Sequence, residues 1–301
     1  MTELMGAKAG SGDVAHRRGI LMTVAAAVLF GLNGAVAADL LTALPSVAVA
    51  QIRSVLAAVI LAAIAYRRRL TRHGGHLPAL VGLGLILAAV TVSFFIAISR
   101  LGVGPGVTIQ FTGPVLVLAW MRWVSKRPVP SVAWLAAVTA LVGVALLSRA
   151  WQANQIDLVG LGAALSASVT FAAYLILSGH LGKFLPAVSV TAYGFAFSAV
   201  ALLLFSPLQL PPFRPVIVVE LVWLVTLGTV APFLLEVAAL RRVDPGTVGV
   251  VATLEPVIGA STAWWWLGQV LDGWQIAGGL IVVGSVAVVQ RYTGAEPSPI
   301  G

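Results

Sequence analysis

The sequence contains no cysteine, and only 9% of its residues are charged. Without cysteine, the chain has no disulfide, no thiolate metal site and no cysteine nucleophile. A soluble domain has about 25% charged residues, so this chain has too few charges to cover a water-exposed surface of its size. These shortages argue against a soluble enzyme, a nucleic-acid-binding protein and a disordered protein.

Motifs of nucleotide and metal chemistry are lacking too. There is no G-x-x-x-x-G-K-[ST] loop, which excludes an ATP-driven pump that carries its own nucleotide site. No H-E-x-x-H or G-x-S-x-G motif occurs, and the four histidines are not spaced as metal ligands on an apolar helix face. We therefore expect no cofactor, no metal ion, no nucleic-acid partner and no enzymatic activity.

Long apolar segments make up most of the chain. Hydrophobic residues account for 59% of the sequence and the mean hydropathy is +1.02, which is typical of a polytopic membrane protein. Because one crossing takes about 20 residues, the length allows about ten spans joined by short linkers. We predict an all-α fold with ten transmembrane helices at Ile20–Leu41, Val47–Tyr66, Leu77–Ser99, Val103–Met121, Ser131–Leu147, Leu158–Leu177, Val188–Phe205, Val216–Leu240, Thr247–Leu267 and Trp274–Val289.

The basic residues are distributed unevenly between the linkers. With a cytoplasmic N-terminus, fourteen of the 18 Lys and Arg residues lie inside, three (Arg100, Arg149 and Arg214) lie outside, and Arg53 lies within the second span. Cytoplasmic loops carry an excess of Lys and Arg. We therefore expect a multi-pass protein of the bacterial inner membrane with both termini in the cytoplasm.

The two halves of the sequence resemble each other after a shift of 142 residues. Gly113-Pro114-Val115 then aligns with Glu255-Pro256-Val257, and Arg100 aligns with Arg242. Each half has five spans, and because five is odd the second half enters the membrane in the opposite direction. The predicted organisation is a disordered cytoplasmic segment, two repeats and a cytoplasmic tail, at 1–19, 20–148, 158–290 and 291–301.

Four segments carry a family resemblance: GVGPGVTIQFTGPVLV at Gly102–Val117, SKRPV at Ser125–Val129, AAYLILSG at Ala172–Gly179 and LLEVAALRRVDPGTVGVVATLEPV at Leu234–Val257. On these, the chain resembles the EamA branch of the drug/metabolite transporter superfamily, and within it the threonine/homoserine exporters. The resemblance covers about Ile20 to Tyr292. It implies a secondary transporter that exports small metabolites.

Two positions depart from the pattern of the family. The exporters carry a glutamate where this chain has Gln110, and EamA repeats usually carry an acidic residue where it has Gln269. Any role of these carboxylates in coupling or in binding a substrate amine is therefore in question for this chain.

Polar residues within the spans are the candidates for substrate binding or coupling, because such groups are costly in hydrocarbon. Glu255 lies near the middle of the ninth span, followed by Pro256, which removes a backbone donor and opens the helix. Pro114 is the matching helix break in the first half, close to Gln110. Asn33 lies at a similar depth in the first span. For each polar side chain the alternative is a structural hydrogen bond between helices.

Two charged residues have more than one interpretation. Arg53 is suited to holding a substrate carboxylate through a bidentate contact, but it can also pair with Asp39 or Glu220 or extend toward the headgroups. Glu236 lies close to Arg241 and Arg242 in sequence, so we interpret it as a structural salt bridge or cytoplasmic gate rather than a binding residue.

The predicted function is export of a small amphipathic metabolite, such as a threonine- or homoserine-like amino acid, by alternating access. Proton coupling is compatible with the sequence, and so is a monomer. The expected partners are the small-molecule substrate and the lipid bilayer. The alternatives are transport of another solute, such as a drug, purine or nucleotide sugar, and, from a different class, an intramembrane enzyme or a membrane scaffold. An enzyme would need a nucleophile–base pair or metal cluster at membrane depth, where the sequence has only scattered carboxylates.

Overall fold

The computed structural model describes residues 2–70, 75–152, 157–208 and 214–293, and it contains no β-strand within them. Arg72 and the tail from residue 294 onward, both part of the predicted cytoplasmic side, lie outside the described residues. The helices are α1 (Thr2–Ala43), α2 (Ser46–Arg67), α3 (Leu77–Leu101), α4 (Val103–Gln110), α5 (Gly113–Ala119), α6 (Ser131–Leu147), α7 (Leu158–Leu181), α8 (Ala187–Phe205), α9 (Pro215–Val225), α10 (Ala231–Leu240), α11 (Pro245–Ala252), α12 (Leu254–Leu267) and α13 (Gly273–Thr293).

The helices account for the ten predicted spans. Eight helical segments in the described part of the chain are long and apolar enough to cross a membrane. The shorter apolar helix α6 and the consecutive helices α11 and α12 supply the fifth and ninth spans. The predicted all-α fold of ten transmembrane helices is thus confirmed.

The first helix extends further toward the N-terminus than the predicted span. α1 begins at Thr2, so the structure continues it through residues 2–19, for which the sequence predicted disorder. The segment has no proline and includes the good helix formers Leu, Met, Ala and Lys. A helix that already exists from residue 20 can extend along such a segment, because only initiation is costly.

The fourth span of each half is interrupted at corresponding positions. α4 and α11 coincide over their whole length under the shift of 142 residues that aligns Pro114 with Pro256. At each interruption the backbone N–H of a threonine donates to the carbonyl oxygen three residues earlier, whereas a regular α-helix uses the carbonyl four residues earlier. Thr112 donates to Ile109, and Thr253 donates to Val250. The shared interruption supports the inverted repeat, because two unrelated apolar segments have no reason to break at the same place.

Close contact between small residues holds the last spans of the two repeats together. A Cβ on Gly143 of α6 would lie 2.8 Å from the carbonyl oxygen of Gly278 on α13. Glycine at such positions lets two helix backbones approach within a membrane, where packing rather than hydrophobicity drives association. α6 and α13 therefore form one tightly packed pair that joins the two repeats.

Two of the three arginines at the arginine-poor end of the bundle are neutralised by aspartates. Arg100 pairs with Asp157 at 3.0 Å, and Arg149 pairs with Asp272 at 2.7 Å. Asp157 also caps α7, and the backbone N–H of Gly160 together with Arg100 holds the pKa of its carboxyl below the usual value. Because two of its three arginines are paired with aspartates, this end has less uncompensated positive charge than the number of its arginines suggests.

We predict that this end faces outward and that both termini are cytoplasmic. Single cysteines at Ser125 and Ser206 test the orientation, because the chain has no native cysteine. In intact cells, a membrane-impermeant maleimide should label Ser206→Cys and should not label Ser125→Cys until the membrane is opened. The reverse pattern would show that the protein is inserted the other way.

Candidate functional site

α1 contacts α12 at the residue that the sequence singles out most clearly. A Cβ on Gly31 would lie 2.8 Å from the backbone carbonyl oxygen of Glu255 and 2.6 Å from Cβ of Ile258. Only glycine allows this approach. The contact places Glu255, at the start of α12, directly beside the middle of α1.

Asn33 lies two residues further along α1 and faces the eighth span. Its side chain contacts Gly228, in a π-helical turn (Thr226–Val230) between α9 and α10. Asn33 is 8% exposed, and its Oδ1 is buried without a hydrogen-bond partner. Single π-helical turns within α-helices are frequent at functional sites, and an unpaired buried carbonyl oxygen has a free acceptor for a ligand.

Glu236 lies on α10, beyond this π-helical turn, with only 3% of its surface exposed. The hydroxyl of Tyr174, on α7, donates to Oε2 of Glu236 at 2.9 Å. Across the described residues, no ion pair joins Glu236 to Arg241 or Arg242, contrary to the expectation from the sequence. The reason is helical geometry, because residues five and six positions apart lie on different faces of a helix.

Arg53 reaches the same region from α2. Its guanidinium donates to Oγ1 of Thr91 on α3 at 2.7 Å, and its Nε is buried without a hydrogen-bond partner. Arg53 interacts electrostatically with Glu255, which in turn interacts with Glu236. We refer to Arg53, Glu236 and Glu255 as the central polar cluster.

The alternative partners considered for Arg53 are engaged with each other. The side chains of Asp39, on α1, and Glu220, on α9, are hydrogen-bonded together. Neither forms an ion pair with Arg53 in the described part of the chain. Neither of the two carboxylates that the sequence suggested as partners is therefore bonded to Arg53. The carboxylate that interacts electrostatically with Arg53 is that of Glu255.

An aromatic wall, formed by Phe30, Tyr174, Phe195 and Phe233, lies next to the cluster. The ring of Phe233 makes edge contacts with Phe30, Phe195 and Tyr174 at centroid distances of 5.1, 5.0 and 5.6 Å. These contacts join α1, α7, α8 and α10 and fix the ring of Tyr174. The aromatic wall, Gly228 and the role of Tyr174 were not anticipated from the sequence.

Gln110 lies at the interruption between α4 and α5. Its Oε1 is buried without a hydrogen-bond partner. Next to it, the hydroxyls of Thr112 and Ser168 are 2.6 Å apart and tie this interruption to α7. Pro114 packs against α11, where a Cβ on Gly249 would lie 3.2 Å from Cβ of the proline. The structure thus brings the two interrupted spans into contact at Pro114 and Gly249.

Comparisons with known proteins identify the family of this chain. A model of the EamA-like transporter family matches residues 17–149 and 158–291. The chain is 30% identical to the threonine/homoserine exporter RhtA of Escherichia coli, over 67% of this chain and 68% of the exporter. With RhtA of Salmonella typhimurium it is 29% identical, and the match spans 64% of both chains.

Two further similarities agree with the family assignment. The chain is 32% identical over 125 residues to YwfM, an uncharacterized transporter of Bacillus subtilis, covering 39% of this chain and 42% of YwfM. A crystal structure with 18% sequence identity has the same fold, with a TM-score of 0.71 over 93% of this chain and 96% of its own. Since the family model matches both halves, this multi-pass membrane protein belongs to the EamA-like transporter family.

Proposed function

We propose that this transporter exports small amino acids of the threonine and homoserine type by alternating access. The observation that carries the proposal is the composition of the buried and half-buried polar groups on α1, α2 and α12. Glu255 and the unpaired Oδ1 of Asn33 are acceptors for an ammonium group. The unpaired Nε of Arg53 is a donor for a carboxylate. An α-amino acid has both groups on one carbon atom.

The interrupted helices support the alternating-access part of the proposal. α5 meets α11 at the contact of Pro114 with Gly249, and the π-helical turn interrupts the eighth span. Interrupted helices at the interface of inverted repeats are a recurring arrangement at the sites of secondary transporters. The two repeats would rock about this interface, and the pair α6 and α13 would keep them attached.

A substrate panel with the purified protein in proteoliposomes tests the proposed function. Vesicles loaded with unlabelled threonine should accumulate labelled threonine or homoserine from outside by counterflow. Vesicles that contain buffer alone should not. Counterflow of a purine, drug or nucleotide sugar, with none for any amino acid, would contradict the proposed substrate class in favour of another solute.

Gln110 is proposed to influence selectivity, because a neutral amide neither titrates nor balances an ammonium charge. We predict that Gln110→Glu raises the export of threonine or homoserine, or makes it depend more steeply on pH. The initial export rate, normalised to protein abundance, is the measurement. Abundance must be followed because a buried unpaired carboxylate can destabilise the fold.

The matched control for this substitution is Gln152→Glu. Gln152 is exposed in the linker after α6, so the same change there adds a carboxylate outside the buried region. Export should be the same as in the unmodified protein. A well-expressed Gln110→Glu variant that behaves like Gln152→Glu would show that Gln110 does not determine selectivity.

A further inference from the structure

The hydroxyl of Thr91, on α3, is bonded to Arg53 of another helix rather than to its own helix. It accepts from the guanidinium at 2.7 Å, and Thr91 is only 7% exposed. Ser93 on the same helix is bonded in the usual way, because its hydroxyl donates to the carbonyl oxygen of Ala89 at 2.6 Å. Within the described residues, the hydroxyl of Thr91 donates to no carbonyl oxygen. Since a hydroxyl can donate and accept at once, its proton is free for a ligand.

Arg53 has a second free donor beside this hydroxyl. Its Nη2 is bonded to Thr91, whereas its Nε is buried without a hydrogen-bond partner. Nε and Nη2 are attached to the same carbon atom of one planar group, so the free N–H and the hydroxyl lie on the same guanidinium. A carboxylate has two oxygen atoms and can accept from both donors.

Thr91 also fixes where the guanidinium lies. Arg53 interacts electrostatically with Glu255, but across the described part of the chain no ion pair joins the two side chains. The direct hydrogen-bond partner of Arg53 is therefore Thr91 on α3. The guanidinium and the carboxylate of Glu255 are thus kept as two separate groups, each available to a ligand.

Building on the proposed function, we infer that Thr91 is a substrate-binding residue that completes the site for the substrate carboxylate. Its hydroxyl accepts from Arg53 and donates to one oxygen of the carboxylate, while Nε of Arg53 donates to the other oxygen. The ammonium group of the same substrate binds Glu255. Each of the two charges of the zwitterion then meets one charge of opposite sign.

This arrangement makes the substrate a bridge between the two repeats. Arg53 and Thr91 belong to the first matched repeat, and Glu255 belongs to the second. The first repeat therefore recognises the carboxylate and the second recognises the ammonium group. A ligand that has only one of the two charged groups should bind more weakly than the amino acid.

Inhibition of counterflow by two ligands tests the inference with the purified full-length protein in proteoliposomes. Threoninol keeps the ammonium group and the side chain of threonine but has a hydroxymethyl group in place of the carboxylate. Unlabelled threonine should inhibit the counterflow of labelled threonine at a lower concentration than threoninol does. Thr91→Val removes the hydroxyl at nearly constant volume. It should raise the half-inhibitory concentration of threonine about tenfold and leave that of threoninol unchanged.

Two substitutions on the same helix are the controls. Thr91→Ser keeps the hydroxyl and should resemble the unmodified protein. Ser93→Ala removes a hydroxyl that is bonded to its own helix and should change neither half-inhibitory concentration. Should Thr91→Val fail to reach the membrane, Thr91→Cys replaces the hydroxyl by a weakly hydrogen-bonding thiol. It should raise the value for threonine about threefold and leave that for threoninol unchanged.

Two results would overturn the inference. One is an equal rise of both half-inhibitory concentrations in Thr91→Val or Thr91→Cys, which would make Thr91 a residue of the fold alone. The other is an unchanged value for threonine in either variant. An unmodified protein that transports threonine but is inhibited equally well by threoninol would contradict the inference alone, whereas one without counterflow of any amino acid would contradict the proposed function.

Discussion

Replacing Glu255 by glutamine is expected to reduce threonine export about tenfold or more at normal membrane abundance, because the variant loses the negative charge that would attract the substrate ammonium group, and a factor of ten corresponds to only about 1.4 kcal/mol. Glutamine keeps the size and most of the hydrogen-bonding capacity of glutamate but removes its charge. The variant would leave Arg53 without its electrostatic partner and the substrate ammonium without its carboxylate. Initial counterflow rates in proteoliposomes, corrected for the amount of reconstituted protein, are the measurement.

The control for this prediction is Glu220→Gln, in which a glutamate that bonds Asp39 loses its charge in the same way. Its transport should stay close to that of the unmodified protein. Should Glu255→Gln transport threonine at an unchanged rate and with an unchanged pH dependence, Glu255 would be a protonated structural residue that bonds a neighbouring helix.

Replacing Gly31 by valine is expected to destabilise the protein strongly, because Gly31 lies against the backbone of α12. The new Cβ would meet the carbonyl oxygen of Glu255 at 2.8 Å and Cβ of Ile258 at 2.6 Å, and neither atom is the flexible end of a side chain. Overpacking of this kind costs about 1–3 kcal/mol, and the γ-methyl groups of valine add to it. The thermal unfolding of the purified protein in detergent measures the effect.

Gly34→Val is the matched control on the same helix, because a Cβ at Gly34 would meet no atom within 4 Å. Both substitutions change helix propensity by the same amount, so the difference between them isolates the contact with α12. Gly31→Val should also impair counterflow in the protein that still folds, since it displaces the backbone of Glu255. Equal stability of the two variants would mean that α1 and α12 are not held at this distance.

The spans were predictable because the bilayer imposes strong rules on sequence. A crossing needs a long apolar segment, and the linkers carry an uneven distribution of Lys and Arg, so ten helices can be read without tertiary information. The interruptions were predictable for a related reason. A proline within an apolar span, as at Pro114 and Pro256, removes a backbone donor wherever the helix packs.

The sequence predicts several residues of the candidate site individually, but it does not predict which of them lie close together. Glu255, Arg53 and Asn33 stand out because polar groups are rare in hydrocarbon. Their proximity depends on the packing of α1 and α2 against helices of the other repeat, which no local pattern encodes. Tyr174 and Glu236 are 62 residues apart in the chain. A useful signal is the presence of a tyrosine within an apolar span, where its hydroxyl needs a partner.

Helical geometry would have improved one interpretation. The distance of Glu236 from Arg241 and Arg242 along the sequence suggested a salt bridge, but a helical projection separates them and directs Glu236 toward the interior. The π-helical turn at Gly228 had a weaker signal, namely a glycine with two threonines and a proline nearby in an otherwise apolar span. These residues predict an irregular helix without specifying its form.

The ion pair between Arg149 and Asp272 can form only late in biosynthesis, because its two residues belong to different repeats. Arg149 ends the first repeat, and Asp272 lies just before the last helix of the second repeat. A ribosome therefore delivers the arginine to the membrane long before it has made the aspartate. While the chain is being inserted, Arg149 is an uncompensated positive charge on the side where such charges are few. Its neutralisation by Asp272 comes only when the second repeat is in place.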